Sequence, residues 1–208
     1  MDQQGRGVEG HIVRYDEHKN SIQFLAVSGK RVWVQPQDFS AEDQKYIQDW
    51  IDAKQFLSNT KLRTSIDKRT KNGVATYDLT FKNNSSRTIA QFVVEYKFHI
   101  EIEFFGAKDQ ERWKSGRLTV GSLAPGADRT YTITSGEGGS KYKTVSVATT
   151  TYYGGTTYSQ ERHKVSTTYT RGFLLRMQGP HLDGTPIIRE LSEPTSLAKK
   201  YDWDISRD

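Results

Sequence analysis

The residues with the most obvious chemical potential lie on one predicted strand, Phe92–Phe104, which reads FVVEYKFHIEIEF. His99, Glu101 and Glu103 alternate with apolar residues, so their side chains are predicted to share the solvent-exposed face of the strand, about 7 Å apart. Imidazole and carboxylate groups can together bind a divalent cation. The same alternation predicts polar residues on any solvated strand face, where Lys97 would balance the charge. The other four histidines show no metal-ligand spacing among themselves, so we predict no metal site.

The sequence carries no recognisable catalytic motif. It contains no G-x-S-x-G nucleophile elbow, no glycine-rich phosphate loop and no H-E-x-x-H helix. Glu101 and Glu103 make a poor acid–base pair, because two carboxyls on one face of one strand do not easily flank a bond from opposite sides. Cysteine is absent, which excludes disulfides, thiol catalysis and cysteine-ligated zinc. We therefore predict a protein that is not an enzyme and has no cofactor. A hydrolase whose site a single sequence does not reveal stays open as an alternative.

A candidate peptide-binding site lies at a predicted hairpin that contains Lys30, Arg31 and Trp33. Trp33 alternates with Val32 and Val34, so it should point away from the core that these valines build. An exposed tryptophan beside two cations suits an acidic or aromatic-containing peptide. The alternative is that Trp33 is buried at a seam with the rest of the chain, since so small a unit needs apolar support.

A second candidate site is the hairpin TTTYYGGTTYSQ, in which Tyr152, Tyr153 and Tyr158 flank the flexible pair Gly154-Gly155. Exposed tyrosines can stack on sugars or anchor a protein partner. Carbohydrate binding through this hairpin is therefore the alternative function. The tyrosines can equally be ordinary sheet residues around a simple turn, because tyrosine is common in strands.

Three short strands and a helix are predicted to position the first candidate site. The strands VEGHIVRY, IQFLAV and RVWVQP are separated by polar turns. Their alternating apolar residues predict a small core of Ile12, Ile22, Phe24, Val32 and Val34. A helix follows over residues 40–57, with Ser40 as its cap and Asp43 in the capping-box position. Its predicted apolar face consists of Tyr46, Ile47, Trp50, Ile51, Ala53 and Leu57.

Residues 8–50 carry a resemblance to a known family in the run GHIVRYDEHKNSIQFLAVSGKRVWVQPQDFSAEDQKYIQDW. This run resembles the small SH3-like homology module of a yeast endocytic adaptor, which recurs in envelope-associated planctomycete and verrucomicrobial proteins. The matching features are the leading G-x-I-V strand, the SGK-R hairpin and the helix S-x-E-D-Q-x-Y-I-x-x-W. The resemblance implies a binding role at the bacterial envelope. The yeast module binds Asn-Pro-Phe-x-Asp peptides, but that pocket does not map residue by residue onto this sequence.

From residue 62 onward, long strands alternate with hairpin turns. Asn72-Gly73 is the strongest turn signal, and eight or nine strands at this spacing predict a two-sheet β-sandwich of immunoglobulin or fibronectin type. The LAPG corner at residues 123–126 resembles one in bacterial immunoglobulin-like domains. The C-terminal sequence is similar to the end of bacterial proteins with the same N-terminal module. The predicted fold is mainly β, with an SH3-like module and its helix in residues 1–60 and the sandwich in residues 61–208.

Composition limits the partners and the location. The net charge is +5, but Lys and Arg are scattered and often lie near acids, so no nucleic-acid partner is expected. No run approaches the ~20 apolar residues of a transmembrane helix. The start, MDQQGRGVEG, lacks signal-peptide features, which fits a cytoplasmic protein or a trimmed signal sequence. With the resemblance, we predict a non-catalytic binding or structural protein of the bacterial envelope with a protein or peptide partner. Its location would be periplasmic or extracellular if a signal peptide was trimmed, and otherwise stays open.

Overall fold

The computed structural model describes residues 9–203, and over this range the chain is mainly β, with eleven strands in antiparallel sheets. The mainly β class predicted from the sequence is thereby confirmed. Residues 1–8 lie outside the described range, as do residues 204–208. Most of the segment inspected for signal-peptide features therefore lies outside the described residues, and so does Val8 of the first predicted strand.

The N-terminal part is a three-stranded sheet covered by a helix. Its elements are β1 (Gly10–Asp16), β2 (Ser21–Ala26), β3 (Arg31–Val34), a 3-10 turn (Pro36–Asp38) and α1 (Ala41–Leu57). The strands pair in the order β1-β2-β3. Ile22, Ile47, Trp50 and Ile51 form the core between the sheet and the helix. This arrangement leaves the other face of the sheet pointing away from α1.

Helix α1 begins at the cap that its sequence predicts. The Ser40 hydroxyl accepts a hydrogen bond from the Asp43 amide at 3.2 Å and donates one to the Asp43 carboxylate at 2.7 Å. One part of the predicted apolar face is wrong, because Leu57 is 42% exposed whereas the neighbouring Phe56 is fully buried. Tyr46 is also exposed. The last turn of the helix presents Phe56, and not Leu57, to the second part of the chain.

The second part contains eight strands and a short helix. They are β4 (Leu62–Lys71), β5 (Val74–Asn83), β6 (Phe92–Phe104), β7 (Gln110–Val120), β8 (Asp128–Thr134), β9 (Gly139–Thr150), β10 (Thr156–Leu182), β11 (Thr185–Glu193) and α2 (Leu197–Lys200). One sheet has the order β4-β5-β8 and the other β11-β10-β6-β7. β9 pairs with the N-terminal half of β10, whereas β11 pairs with its C-terminal half. At the predicted turn Asn72-Gly73, φ is +52° and +80°, as a tight hairpin turn requires.

The two larger sheets enclose one hydrophobic core, to which the long strand β6 contributes most. Its alternating residues Phe92, Val94, Phe98 and Ile100 are all at most 1% exposed. They meet Tyr77, Leu79 and Phe81 of β5 and Phe173, Leu175 and Met177 of β10. Tyr77 packs on both Phe98 and Phe173, with ring centroids 5.7 and 4.5 Å apart. The core-facing side of β6 is thus the one that the sequence alternation predicts.

The two parts of the chain are joined through α1 and the loop after β5. Glu17, which follows β1, accepts hydrogen bonds from both the amide and the hydroxyl of Ser86 at 2.6 Å and forms an ion pair with Lys61. Arg87 in the same loop donates to Gln48 of α1. The orientation of the small sheet relative to the larger ones is therefore fixed by polar contacts as well as by the helix.

Replacing Glu17 with glutamine is expected to destabilise the chain by about 1–2 kcal/mol at pH 7, because a partly solvated ion pair and charge-assisted hydrogen bonds are lost. Burial by itself would raise the pKa of Glu17, but the hydrogen bonds from Lys61 and Ser86 outweigh it and lower the pKa from 4.5 to about 2. A lowered carboxyl pKa stabilises the fold above pH 4.5, and this contribution is lost as the pH falls towards 2.

Urea unfolding of the parent and of Glu17→Gln between pH 7 and pH 2 measures this contribution. The difference in the free energy of unfolding should be largest above pH 4.5 and should shrink as the pH approaches 2. The exposed Glu9→Gln is the matched control and should leave stability nearly unchanged. A difference that does not vary with pH would contradict the assignment.

Candidate functional site

The outer face of the small sheet carries the first candidate site. The strand register places Trp33 opposite Gln23, and Gln23 opposite Arg14, so these three side chains form a row across the sheet. Arg31 lies two residues before Trp33 and therefore on the same face. Trp33 is 48% exposed. Trp33 thus has Arg31 beside it along β3, whereas Arg14 lies two strands away, at the β1 edge, where it also lines a cleft with Trp50 of α1.

Trp33 also lines a surface cleft of about 380 Å³. The remaining lining residues are Asp16, Lys19, Ser21, Val34, Gln35 and Asp38. The junction with the larger sheets is made by other residues, chiefly Phe56, Glu17 and Arg87. The alternative that Trp33 is buried at this seam therefore does not match its position in the structure.

The third residue of the candidate site, Lys30, lies in the turn between β2 and β3. Gly29 precedes it with φ at +81°, a conformation that favours glycine, and the Ala26 amide donates to the Lys30 carbonyl at 3.0 Å. This tight turn leaves Lys30 and Arg31 exposed at one end of the row that contains Trp33. The structure thus places all three predicted residues on one exposed surface.

The electrostatics of this surface favour an anionic ligand. Its carboxylates are already engaged by backbone amides: Asp16 accepts from His18 at 3.0 Å, and Asp38 accepts from Gln35 at 3.1 Å. Among residues 9–203, no ion pair involves Arg14, Lys30 or Arg31. Asp16 and Asp38 stay charged, but the cations Arg14, Lys19, Lys30 and Arg31 outnumber them, so this surface can still attract a ligand carboxylate.

The second candidate site lies at the far end of the β9–β10 hairpin. Tyr152, Tyr153 and Tyr158 are 99%, 95% and 78% exposed. The Tyr152 and Tyr153 rings stand perpendicular to each other, with centroids 5.7 Å apart. Perpendicular rings do not form one flat stacking platform. The tip therefore exposes two aromatic rings to solvent, but the arrangement of these rings alone does not define a sugar subsite.

The prediction that His99 lies on a solvated face is wrong. His99 is only 4% exposed, because residues 194–203, here called the C-terminal strap, cross this face of the sheet. Its ring stacks on Trp113 and contacts Tyr201, with both centroids 4.9 Å away. Its Nε2 lies 3.4 Å from the Glu111 carboxylate, which also accepts a 2.9 Å hydrogen bond from Tyr201. That hydrogen bond, together with His99, lowers the pKa of Glu111.

Glu101 and Glu103 do not join His99 in a site. Both carboxylates pair with Arg171 on the neighbouring strand β10, and the hydrogen bond and charge of Glu101 raise the pKa of Arg171. Within residues 9–203, no group of three or more His, Asp or Glu side chains is arranged to hold a metal ion. The structure thus separates the three residues that the strand pattern brings together.

Sequence reasoning missed the strap and its anchor. Trp203 is 8% exposed, and its ring centroid lies 5.1 Å from the Lys97 ammonium and 4.7 Å from the Arg176 guanidinium. Lys97 also donates to the Trp203 carbonyl at 2.6 Å. A surface cleft of about 410 Å³ lies beside the strap. The only signal for this arrangement is the pair Tyr201 and Trp203 in a polar tail.

A scan of the chain against protein-family models found no match, and a search of curated proteins found none either. The SH3-like resemblance therefore rests on the residues quoted above. No helix among residues 9–203 is both long and apolar enough to cross a membrane.

Proposed function

We propose that this chain is a non-catalytic binding protein of the bacterial envelope whose small N-terminal module engages an acidic peptide segment of a partner protein. The observation that carries the proposal is the position of Trp33, half exposed in a row with Arg14 and beside Arg31. Aromatic and arginine side chains dominate binding energy at protein interfaces. The larger two-sheet part would serve as the scaffold that holds this module in place.

The acidic character of the proposed peptide follows from the surface charges. Lys30, Arg31 and Arg14 are exposed, and together with Lys19 they outnumber the two carboxylates of the cleft, Asp16 and Asp38. A peptide carboxylate can pair bidentately with an arginine, while an apolar or aromatic peptide residue packs on the Trp33 ring. The cleft of about 380 Å³ beside Trp33 has room for such a side chain.

The finer fold assignment belongs to the same proposal. An SH3-like identity for the small module is supported by its three antiparallel strands followed by a capped helix, together with the resemblance over residues 8–50. An immunoglobulin-like sandwich is supported by two antiparallel sheets around one core. The envelope location is tested by mass spectrometry of periplasmic and cytoplasmic fractions of the source cells. Recovery only from the cytoplasm would overturn that location.

Replacing Trp33 with alanine is expected to weaken binding of an acidic peptide by about tenfold, the effect of losing an interfacial aromatic anchor. The measurement is an NMR titration with a peptide library that includes acidic and Asn-Pro-Phe-type sequences. For the parent, shifts should concentrate at residues 30–34. The thermal unfolding midpoint should change little, because Trp33 is 48% exposed.

The matched control for this titration is Tyr152→Ala, which removes another exposed aromatic ring far from the small sheet. It should leave peptide affinity unchanged. Shifts confined to residues 152–158 would move the binding site to the β9–β10 hairpin. Unfolding of Trp33→Ala would show that Trp33 is a structural residue. Either result would overturn the peptide-binding proposal.

A second candidate function is carbohydrate binding through the β9–β10 hairpin. The exposure of Tyr152, Tyr153 and Tyr158 favours it, since exposed tyrosine rings can stack on sugars. Retention of the parent protein on an insoluble glycan, abolished by Tyr153→Ala, is the expected result. No retention of the parent on any glycan would remove this candidate.

A further inference from the structure

The outer half of the β9–β10 hairpin extends beyond the sheet to which it belongs. Pairing of β10 with β6 begins at Ser166, whereas pairing with β9 continues out to Thr156. Residues 141–165, here called the ribbon, therefore form a two-stranded extension. Most of its side chains on both faces are exposed. Nine residue pairs at about 3.4 Å each make it roughly 30 Å long. A ribbon this exposed buries little of its own surface, so its residues are available for binding.

The ribbon register brings together residues that are distant in the sequence. Lys164 faces Tyr142, Arg162 faces Thr144, Gln160 faces Ser146 and Tyr158 faces Ala148, all on one side of the ribbon. We call this side the track, defined by Tyr142, Ser146, Tyr158, Gln160, Arg162 and Lys164. The first two residues come from β9 and the others from β10. From the Tyr158 pair to the Lys164 pair it spans about 20 Å.

The track combines two cations with aromatic and neutral polar groups. The Arg162 guanidinium lies 4.8 Å from the Tyr142 ring centroid, and the Lys164 ammonium lies 5.1 Å from that of Phe105. Among residues 9–203, no carboxylate forms an ion pair with either cation. The opposite face of the ribbon carries Lys141, Lys143 and His163, but also Glu161, which lies 3.4 Å from His163. The track is therefore the acid-free face.

The charge density of the track distinguishes between polyanions. Duplex nucleic acid carries one charge per ~1.7 Å, so a 20 Å stretch presents on the order of ten charges. Arg162 and Lys164 would match only a small fraction of them. The Arg162 guanidinium lies against the Tyr142 ring, so this arginine is held on the track beside an aromatic side chain. A ligand with sparse acidic groups separated by neutral hydroxyls fits the sequence of groups along the track better.

We infer that the track binds a linear acidic polysaccharide, with its carboxylates on Arg162 and Lys164, its hydroxyls on Gln160 and Ser146, and a sugar ring on Tyr158. Arginine pairs bidentately with carboxylates, and an exposed tyrosine supplies a face on which a sugar can stack. This inference rests on the second candidate function, carbohydrate binding by the hairpin. It specifies the ligand class and moves the site from the hairpin tip to one face of the ribbon.

The experiment measures binding of the full chain to polygalacturonate by isothermal titration calorimetry, with neutral dextran and a 20-base-pair DNA duplex as comparison ligands. Arg162→Gln/Lys164→Gln is expected to weaken polygalacturonate binding at least tenfold. The matched control, Lys141→Gln/Lys143→Gln, removes the same charge from the opposite face and should change affinity less than twofold. Circular dichroism establishes that both variants stay folded, as expected for three exposed residues and the half-buried Lys164.

Each contrary outcome overturns the inference in a distinct way. Equal losses in the two double variants would show diffuse attraction to the whole ribbon and no track. Binding of dextran without polygalacturonate would leave the carbohydrate candidate standing and remove the acidic ligand. Tighter binding of the duplex would identify a nucleic-acid surface. Absence of binding to any glycan would remove both carbohydrate proposals. A dimer dissolved by Tyr158→Ala would show that the ribbon serves self-association.

Discussion

Replacing Phe56 with alanine is expected to destabilise the entire chain by about 3–5 kcal/mol, the usual effect of truncating a fully buried phenylalanine. Phe56 lies in the last turn of α1, yet its ring is 0% exposed within the core of the larger sheets. It packs edge-on against Phe92 at 5.4 Å. It also lies against Gly179 of β10, where an added Cβ would stand 2.6 Å from the ring. Helix and sheets therefore share one core at this residue.

The adjacent residue provides the matched control. Leu57 is 42% exposed, so Leu57→Ala should change the free energy of unfolding by well under 1 kcal/mol. Guanidinium unfolding followed by tryptophan fluorescence and by amide NMR signals of β6 measures both variants. The parent should unfold in one transition, since the two parts share Phe56. Two transitions, or equal effects of the two substitutions, would contradict this account of the junction.

Phe56 and Leu57 also show which features of the fold sequence periodicity can predict and which it cannot. The cap at Ser40 and the bounds of α1 follow from residues within the helix, so local rules predict them. Which side of the last turn is buried depends on β10 and on the glycine at position 179, which lie more than a hundred residues away. The long strand β6 is predicted well for the same local reason, because its alternation is uninterrupted over residues 94–104.

The candidate sites likewise divide into those that local sequence predicts and those that depend on distant parts of the chain. Alternation in β3 places Trp33 on the outer face without knowledge of any other element. The solvated face expected for His99 fails because the strap that covers it comes from residues 194–203. The ribbon is the converse case. Its track residues look scattered in the sequence, since about twenty residues separate Tyr142 from Arg162, but strand pairing places them on one face of a hairpin.

Replacing Asn83 with alanine is expected to destabilise the chain by about 3–4 kcal/mol, because several buried polar groups lose their partners at once. The Asn83 side chain is fully buried at the end of β5. Its amide donates to the carbonyls of Arg87 at 2.7 Å and Leu123 at 2.8 Å. Its carbonyl accepts from the amide and the hydroxyl of Ser85 at 2.9 and 2.7 Å. No local sequence rule distinguishes this residue from the turn asparagine beside it.

That neighbour, Asn84, is the matched control, since within residues 9–203 its side chain makes one hydrogen bond, an exposed one to the Thr60 carbonyl at 3.2 Å. Asn84→Ala should therefore cost less than about 1 kcal/mol.

The loop that Asn83 holds also carries Ser86 and Arg87, which contact Glu17 and Gln48 of the small module. Asn83→Ala should consequently loosen the small module and speed amide hydrogen exchange at residues 85–87 and at Glu17. Equal destabilisation by the two substitutions would show that the buried hydrogen bonds of Asn83 do not hold this loop. Loss of stability without faster exchange at Glu17 would show that the small module is anchored by Phe56 alone.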